Sequence, residues 1–198
     1  HAGMNEAERC PWSLSDERMM KYHDEEWGVP LHDDIRLFEF LVLDIFQAGL
    51  SWRTILHKRE NFRKAFHNFD FSKIASYNKK KTDELLLNSG IVRNRSKVEA
   101  TIHNAKCMLD LVEKRGSFDK YLWSYVDRKP IVNNYRTYNE IPGHTSLSDQ
   151  ISADLRKEGF IFVGSTIIYS FLQASGVVND HIITCFRHRE IQKRHYEK

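Results

Sequence analysis

The sequence predicts an all-α protein. Three observations carry this reading. Apolar residues recur at helical spacing along most of the chain. Cap and stop residues bracket those stretches. Only two short runs, residues 130–133 and 160–163, resemble strands. Roughly nine or ten helices follow from the pattern.

The most informative stretch is residues 37–52, LFEFLVLDIFQAGLSW. Asp33 or Asp34 caps a helix that runs to about residue 48, and Gly49 suits the position just past its end. Leu37, Leu41, Asp44 and Ile45 share one stripe of that helix. Ser51 caps the next helix, which carries Trp52, Ile55 and Leu56, and Phe62, Ala65 and Phe66 lie one turn apart in the segment after it. A short helix at 82–88 ends at Ser89-Gly90. A long amphipathic helix at 93–114 has Val98, Ile102, Ala105, Leu109 and Val112 as its stripe. Helices at 148–157 and 165–175 follow, the second ended by Gly176. The longest connection spans 130–143, and the polar tail from 187 is expected to fray.

At 198 residues the chain is one domain, or two small lobes around a cleft, and a 41% hydrophobic content supplies a core. A net charge of +3 permits a nucleic-acid partner without demanding one. No apolar run is long enough to span a bilayer, and no charged segment followed by an apolar run opens the chain, so no secretory signal is expected. With three cysteines, the expected setting is a reducing cytoplasm, where Cys serves as metal ligand sooner than in disulfides. His1-Ala2-Gly3 before Met4 reads as a cloning remnant.

Four constellations bear chemistry. A carboxylate on an apolar stripe, Asp44, is costly unless it is hydrogen-bonded, paired or awaiting a ligand. Cys10 and His23 near one end, with His181 and Cys185 near the other, form a Cys2His2 set if the pairs meet. The alternative is two unrelated pairs with Cys as a small hydrophobe. The turn through Gly90 and Val92 into Arg93, Arg95 and Lys97 offers amides and positive charge to a phosphate, or is an ordinary solvated αα-hairpin. Trp12, Tyr22, Trp27 and Trp52 suit a flat heterocycle, or are core packing, with Trp27 the most structural of them. Cys107 reads as plain core.

These residues stand within longer matching stretches: ERCPW at 8–12, YHDEEWGVP at 22–30, QAGLSW at 47–52, KRENFRKAF at 58–66, GIVRNRSK at 90–97, WSYV at 123–126, GFIFVGSTIIYSF at 159–171 and VNDH at 178–181. Together they resemble the DNA-3-methyladenine glycosylase I family of the helix–hairpin–helix glycosylase superfamily. The resemblance implies a single glycosylase domain with two helical lobes around a base pocket. It implies structural Zn2+ on Cys10, His23, His181 and Cys185, joining the N- and C-terminal segments. The base pocket falls on Trp12, Tyr22, Trp52 and Ser170, with Asp44 as the catalytic carboxylate. DNA contact falls on Gly49 and Leu50, the turn that enters the duplex, and on Gly90, Val92, Arg93, Arg95 and Lys97. There are two departures: Asp44 stands where the family usually has Glu, and Met19 where relatives have a second pocket tyrosine.

The expected function is base-excision repair. The protein would act as a monomer on alkylated double-stranded DNA, flip out 3-methyladenine, hydrolyse its glycosidic bond and leave the strand uncut. Two other readings stay open at this point: a module that binds alkylated DNA without catalysis, and a zinc hydrolase.

Overall fold

The computed structural model describes residues 7–197, so the remnant expected at residues 1–3 lies outside the described residues. The helices, in chain order, are α1 (Glu17–Glu25), α2 (Asp34–Gln47), α3 (Trp52–Ala65), α4 (Phe71–Ile74), α5 (Lys79–Leu85), α6 (Arg95–Arg115), α7 (Phe118–Ser124), α8 (Ser146–Lys157), α9 (Ser165–Ala174) and α10 (Phe186–Glu197). Two short strands, β1 (Ile131–Val132) and β2 (Val178–Asn179), pair in parallel, with Ile131 opposite Val178.

Helix α2 is the axis of the molecule. Its sequence is apolar on every side, and every residue from Leu37 to Phe46 is buried. A helix that is hydrophobic all round belongs inside, and α3, α6, α7 and α9 pack against this one. Asp33 is its N-cap, accepting from the Arg36 amide. At its far end Ala48 is the C-cap and Gly49 takes φ +83°, a left-handed conformation that glycine adopts without steric cost. Ser51 then caps α3 by accepting from the Thr54 amide. α3 is one continuous helix through Phe62 and Ala65, not two segments. Glu39 fastens α2 to α3 through Arg63, at 2.8 Å, and also meets Arg36.

Some expectations are corrected. Residues 160–163 form no strand: the Asn104 side chain takes up both the N–H and the carbonyl of Ile161, and Phe162 turns at φ +58°. The strand lies instead at Val178–Asn179. It follows Gly176, where a Cβ would come within 2.4 Å of the Val29 backbone and only glycine fits. The tail does not fray from residue 187. It forms α10, which buries Arg187, His188 and Ile191, and His188 Nε2 donates to the Asn133 carbonyl at 2.8 Å. α5 begins earlier than expected, at an Asn78 cap, and α6 begins two residues later, at an Asn94 cap.

Candidate active site and metal centre

The last turns of α2 carry Asp44 into a pocket of about 310 Å³. Ligand sites run from roughly 300 to 1,000 Å³, so this one suits a small ligand. The turn at Pro11–Ser15 supplies Trp12, α1 supplies Met19 and Tyr22, α3 begins with Trp52, and α9 adds Ser170. All four residues expected around Asp44 are therefore brought together, and so is Met19. Sequence reasoning missed Gln47, Arg53, Tyr138 and Gln173, and read Trp27, which also lines the pocket, as the most structural of the four rings.

The polar atoms here are unusual. Asp44 Oδ2 is buried with no hydrogen-bond partner among the described residues, and so is Trp52 Nε1. Burial pushes the Asp44 carboxyl well above its ordinary pKa, because the charged form loses water and gains no partner. The Tyr22 phenol is also raised, first by burial and then by the Asp44 charge, so it remains a neutral O–H. Tyr22 and Trp52 lie 5.1 Å apart and tilted by 44°, and Trp12 lies 6.3 Å from Tyr22. Arg59 backs Tyr22 from 5.9 Å and is fixed by a two-pronged pair with Glu26. A space walled by aromatic rings and holding an unpaired acceptor and an unpaired donor is a pocket for a flat, polar-edged ring.

Beside it, Cys10, His23, His181 and Cys185 meet, all buried, with their ligand atoms within 4.8 Å of one another. Residues at opposite ends of the chain thus converge on one potential metal site. The other nitrogen of each imidazole is engaged: His23 Nδ1 donates to Asp24, and His181 Nε2 donates to the Trp27 carbonyl, both at 2.8 Å. Arg9 in turn holds Asp24. Such outer partners fix ring orientation and tautomer for metal binding. Burial lowers the His181 pKa and favours the neutral imidazole that metals bind. Trp12 packs edge-on against His23 at 5.3 Å, so the cluster also braces the pocket wall.

The other predicted contacts lie at the surface, with one exception. Gly49 and Leu50 are exposed, and nothing stands within 4 Å of a Cβ placed on Gly49. Gly90 packs on the Asn61 side chain, Val92 is half-buried, and Arg93 and Arg95 are exposed. Lys97 is the exception. It is buried, and its ammonium donates to the carbonyls of Phe46 at 3.0 Å and Ala48 at 2.7 Å. Its charge is spent on the end of α2 and is not offered to a phosphate. Cys107 is core, as expected.

A helical bundle that holds a ring-sized, aromatic-lined pocket and an exposed basic turn has the build of a nucleobase-handling protein. Comparison with known proteins narrows this. The family model for methyladenine glycosylase matches residues 12–188, and this chain belongs to that family. It is 47% identical to DNA-3-methyladenine glycosylase 1 of Escherichia coli (strain K12), over 90% of this chain and 95% of that protein. It is 44% identical to the DNA-3-methyladenine glycosylase of Haemophilus influenzae, over 89% of this chain and 96% of that one. The solved 3-methyladenine DNA glycosylase I of Staphylococcus aureus, a structure concerned with 3-methyladenine recognition, superposes with a TM-score of 0.87 at 37% identity. That alignment covers 90% of this chain and 95% of the other.

Proposed function

We propose that this protein removes 3-methyladenine from alkylated duplex DNA by hydrolysing its N-glycosidic bond, and leaves the strand intact. The observation that carries this is the buried, partnerless Asp44 carboxyl among Trp12, Tyr22 and Trp52, in a chain of the methyladenine glycosylase family.

The chemistry asks for little more. A base inside a duplex cannot reach a buried acid, so it must be flipped out of the stack. Methylation at N3 makes the base cationic. When the C1′–N9 bond breaks, its electron pair leaves with the base, which becomes neutral and needs no proton from a general acid. The sugar is left with cationic character, and water adds to C1′ and loses a proton. Entry of a cationic base favours the Asp44 carboxylate over its protonated form. That carboxylate accepts from the base or stabilises the developing sugar cation. Tyr22 and Trp52 stack on the ring with a cation–π gain, Trp12 closes an edge, and Ser170 borders the same space. Asp is shorter than Glu by about 1.5 Å, one bond length, so either the base sits closer to α2 or a water bridges.

Outside the pocket, Leu50 at the exposed Gly49 turn enters the duplex, and Gly90, Val92, Arg93 and Arg95 meet the backbone. The Cys2His2 set holds structural Zn2+. Tetrahedral zinc places nitrogens about 3.3 Å apart and nitrogen from sulfur about 3.6 Å. Here His23 Nε2 and His181 Nδ1 are 3.1 Å apart, and three of the four sulfur–nitrogen distances are 3.4–3.6 Å. Four protein ligands leave no open position for catalysis, which disfavours a zinc hydrolase. The protein acts as a monomer in the cytoplasm, as a single glycosylase domain whose two lobes flank the pocket.

The test is to incubate the protein with methylated duplex DNA and assay the supernatant. Free 3-methyladenine is expected, with no strand breaks and no covalent enzyme–DNA adduct after borohydride. Binding to alkylated DNA without base release would leave only the binding-module reading.

A further inference from the structure

Among the cations of the described residues, Lys97 has the least expected environment. A buried ammonium ordinarily needs a carboxylate, yet its hydrogen bonds run to the Phe46 and Ala48 carbonyls, and burial alone shifts its pKa, downward. Those oxygens belong to the last turn of α2, where unpaired carbonyls and the negative end of the helix dipole favour a cation. The helix does not need it in order to stop, because Gly49 at φ +83° already ends it. What the lysine adds is a tie. Its own backbone sits in the first turn of α6, where the Asn94 side chain accepts from the Lys97 amide at 3.0 Å. One side chain therefore joins the start of the hairpin helix to a turn that lies four residues past Asp44 and two before Leu50.

We infer that Lys97 is a positioning residue: it fixes the Ala48–Leu50 turn relative to the hairpin, so that hairpin contact with the DNA backbone aims Leu50 and the end of the Asp44 helix at one nucleotide. This rests on the reading of the site given above. Displacement of about 1 Å at a reacting centre can cost a hundredfold in rate. The lysine acts through the turn and touches neither base nor phosphate.

Lys97→Met keeps the length and apolar stem of the side chain and removes the ammonium. Single-turnover release of 3-methyladenine is expected to fall by about ten- to a hundredfold. Preference for a duplex with an abasic analogue over undamaged duplex should shrink towards none, because the misplaced Leu50 no longer fills the gap. Affinities for undamaged duplex and for free 3-methyladenine, the latter read by tryptophan fluorescence, should stay at the unsubstituted values. In a Leu50→Ala background the same substitution should cost clearly less than it does alone, since both act in part through one turn. Unchanged release by Lys97→Met overturns the inference. So does a parallel fall in release, duplex affinity and base affinity, which marks general damage, or full additivity with Leu50→Ala. If Lys97→Met does not fold, Lys97→Gln, with one donor on a shorter arm, is judged by the same outcomes. No base release by the unsubstituted protein would show that the reading of the site itself has failed, and the inference with it.

Discussion

Two buried acids share helix α2 and differ in what surrounds them. Each has one buried oxygen without a hydrogen-bond partner, but Glu39 is ion-paired with Arg63 and Arg36, whereas Asp44 has no ion pair among the described residues. The sequence marks Asp44 as costly but does not separate it from Glu39, because α2 is buried on every side and the distinguishing arginine lies 24 residues on. Lys97 misleads for a related reason. It closes a basic run, yet Lys97, Thr101, Asn104 and Met108 fall on one buried face of α6, a helical stripe that could have revealed its direction. The Asp44 environment has a consequence for stability. A carboxyl whose folded pKa is raised binds its proton more tightly in the folded state than in the unfolded one. Its effect on stability is therefore most favourable at low pH and is lost as pH rises through the folded value. Asp44→Asn should then melt higher than the unsubstituted protein above that value, by about 2–4 °C for each kcal/mol relieved, and the gap should close as pH falls. The same substitution should nearly abolish base release while duplex binding survives. A variant that still excises, or one that melts lower at neutral pH, would contradict this account of the acid. In the unsubstituted protein kcat/KM for excision should rise with pH through the same range, as the carboxylate of the free protein forms.

At the scale of elements, local chemistry was legible and distant pairing was not. The caps at Asp33 and Ser51, the Gly49 stop and the long helix α6 all followed from adjacent residues. Helix α1 and the β1–β2 pairing did not, since the partner of Ile131 lies at Val178. Tyr138 reaches the pocket from a segment with no motif of its own, and only the packed chain brings it to Asp44, whereas Gln173 lies one turn beyond Ser170 on α9, a spacing that could have revealed it. The hairpin is the element whose role is most directly measurable. Arg93 and Arg95 remain exposed, and Arg95 has only loose surface pairs with Asp83 and Glu99. Replacing both by alanine should weaken binding to any duplex, damaged or not, and flatten the salt dependence by about one unit of slope for each phosphate that is no longer neutralised. Release at saturating enzyme should change little. An unaltered salt slope would place the backbone contact elsewhere. Asn94→Ala, which removes the α6 cap, should cost about 1 kcal/mol of stability in denaturant titration.

At the scale of the molecule, the Cys2His2 set was visible as residue types and invisible as a site, because nothing in a 13-residue and a 4-residue spacing says that two distant pairs will meet. The meeting has a consequence beyond forming a candidate metal site. Cys10 leads into the turn that carries Trp12, and α1 carries His23 beside Tyr22, so two ligands and two pocket rings share the same short segments. Trp12 rests on His23, and Trp27 bridges Trp12 to His181. Losing the ion should therefore loosen the pocket without touching Asp44. Cys185→Ser, or prolonged treatment with a strong chelator, is expected to lower the melting temperature and, as a loss of shape, to weaken affinity for free 3-methyladenine. If the ion only braces, its identity should not matter to the chemistry. Protein refolded with one equivalent of Co2+ should show tetrahedral d–d absorption and release base at the zinc-protein rate. A cobalt protein that folds equally well and binds the free base equally well, but excises at a different rate, would place the metal in the reaction.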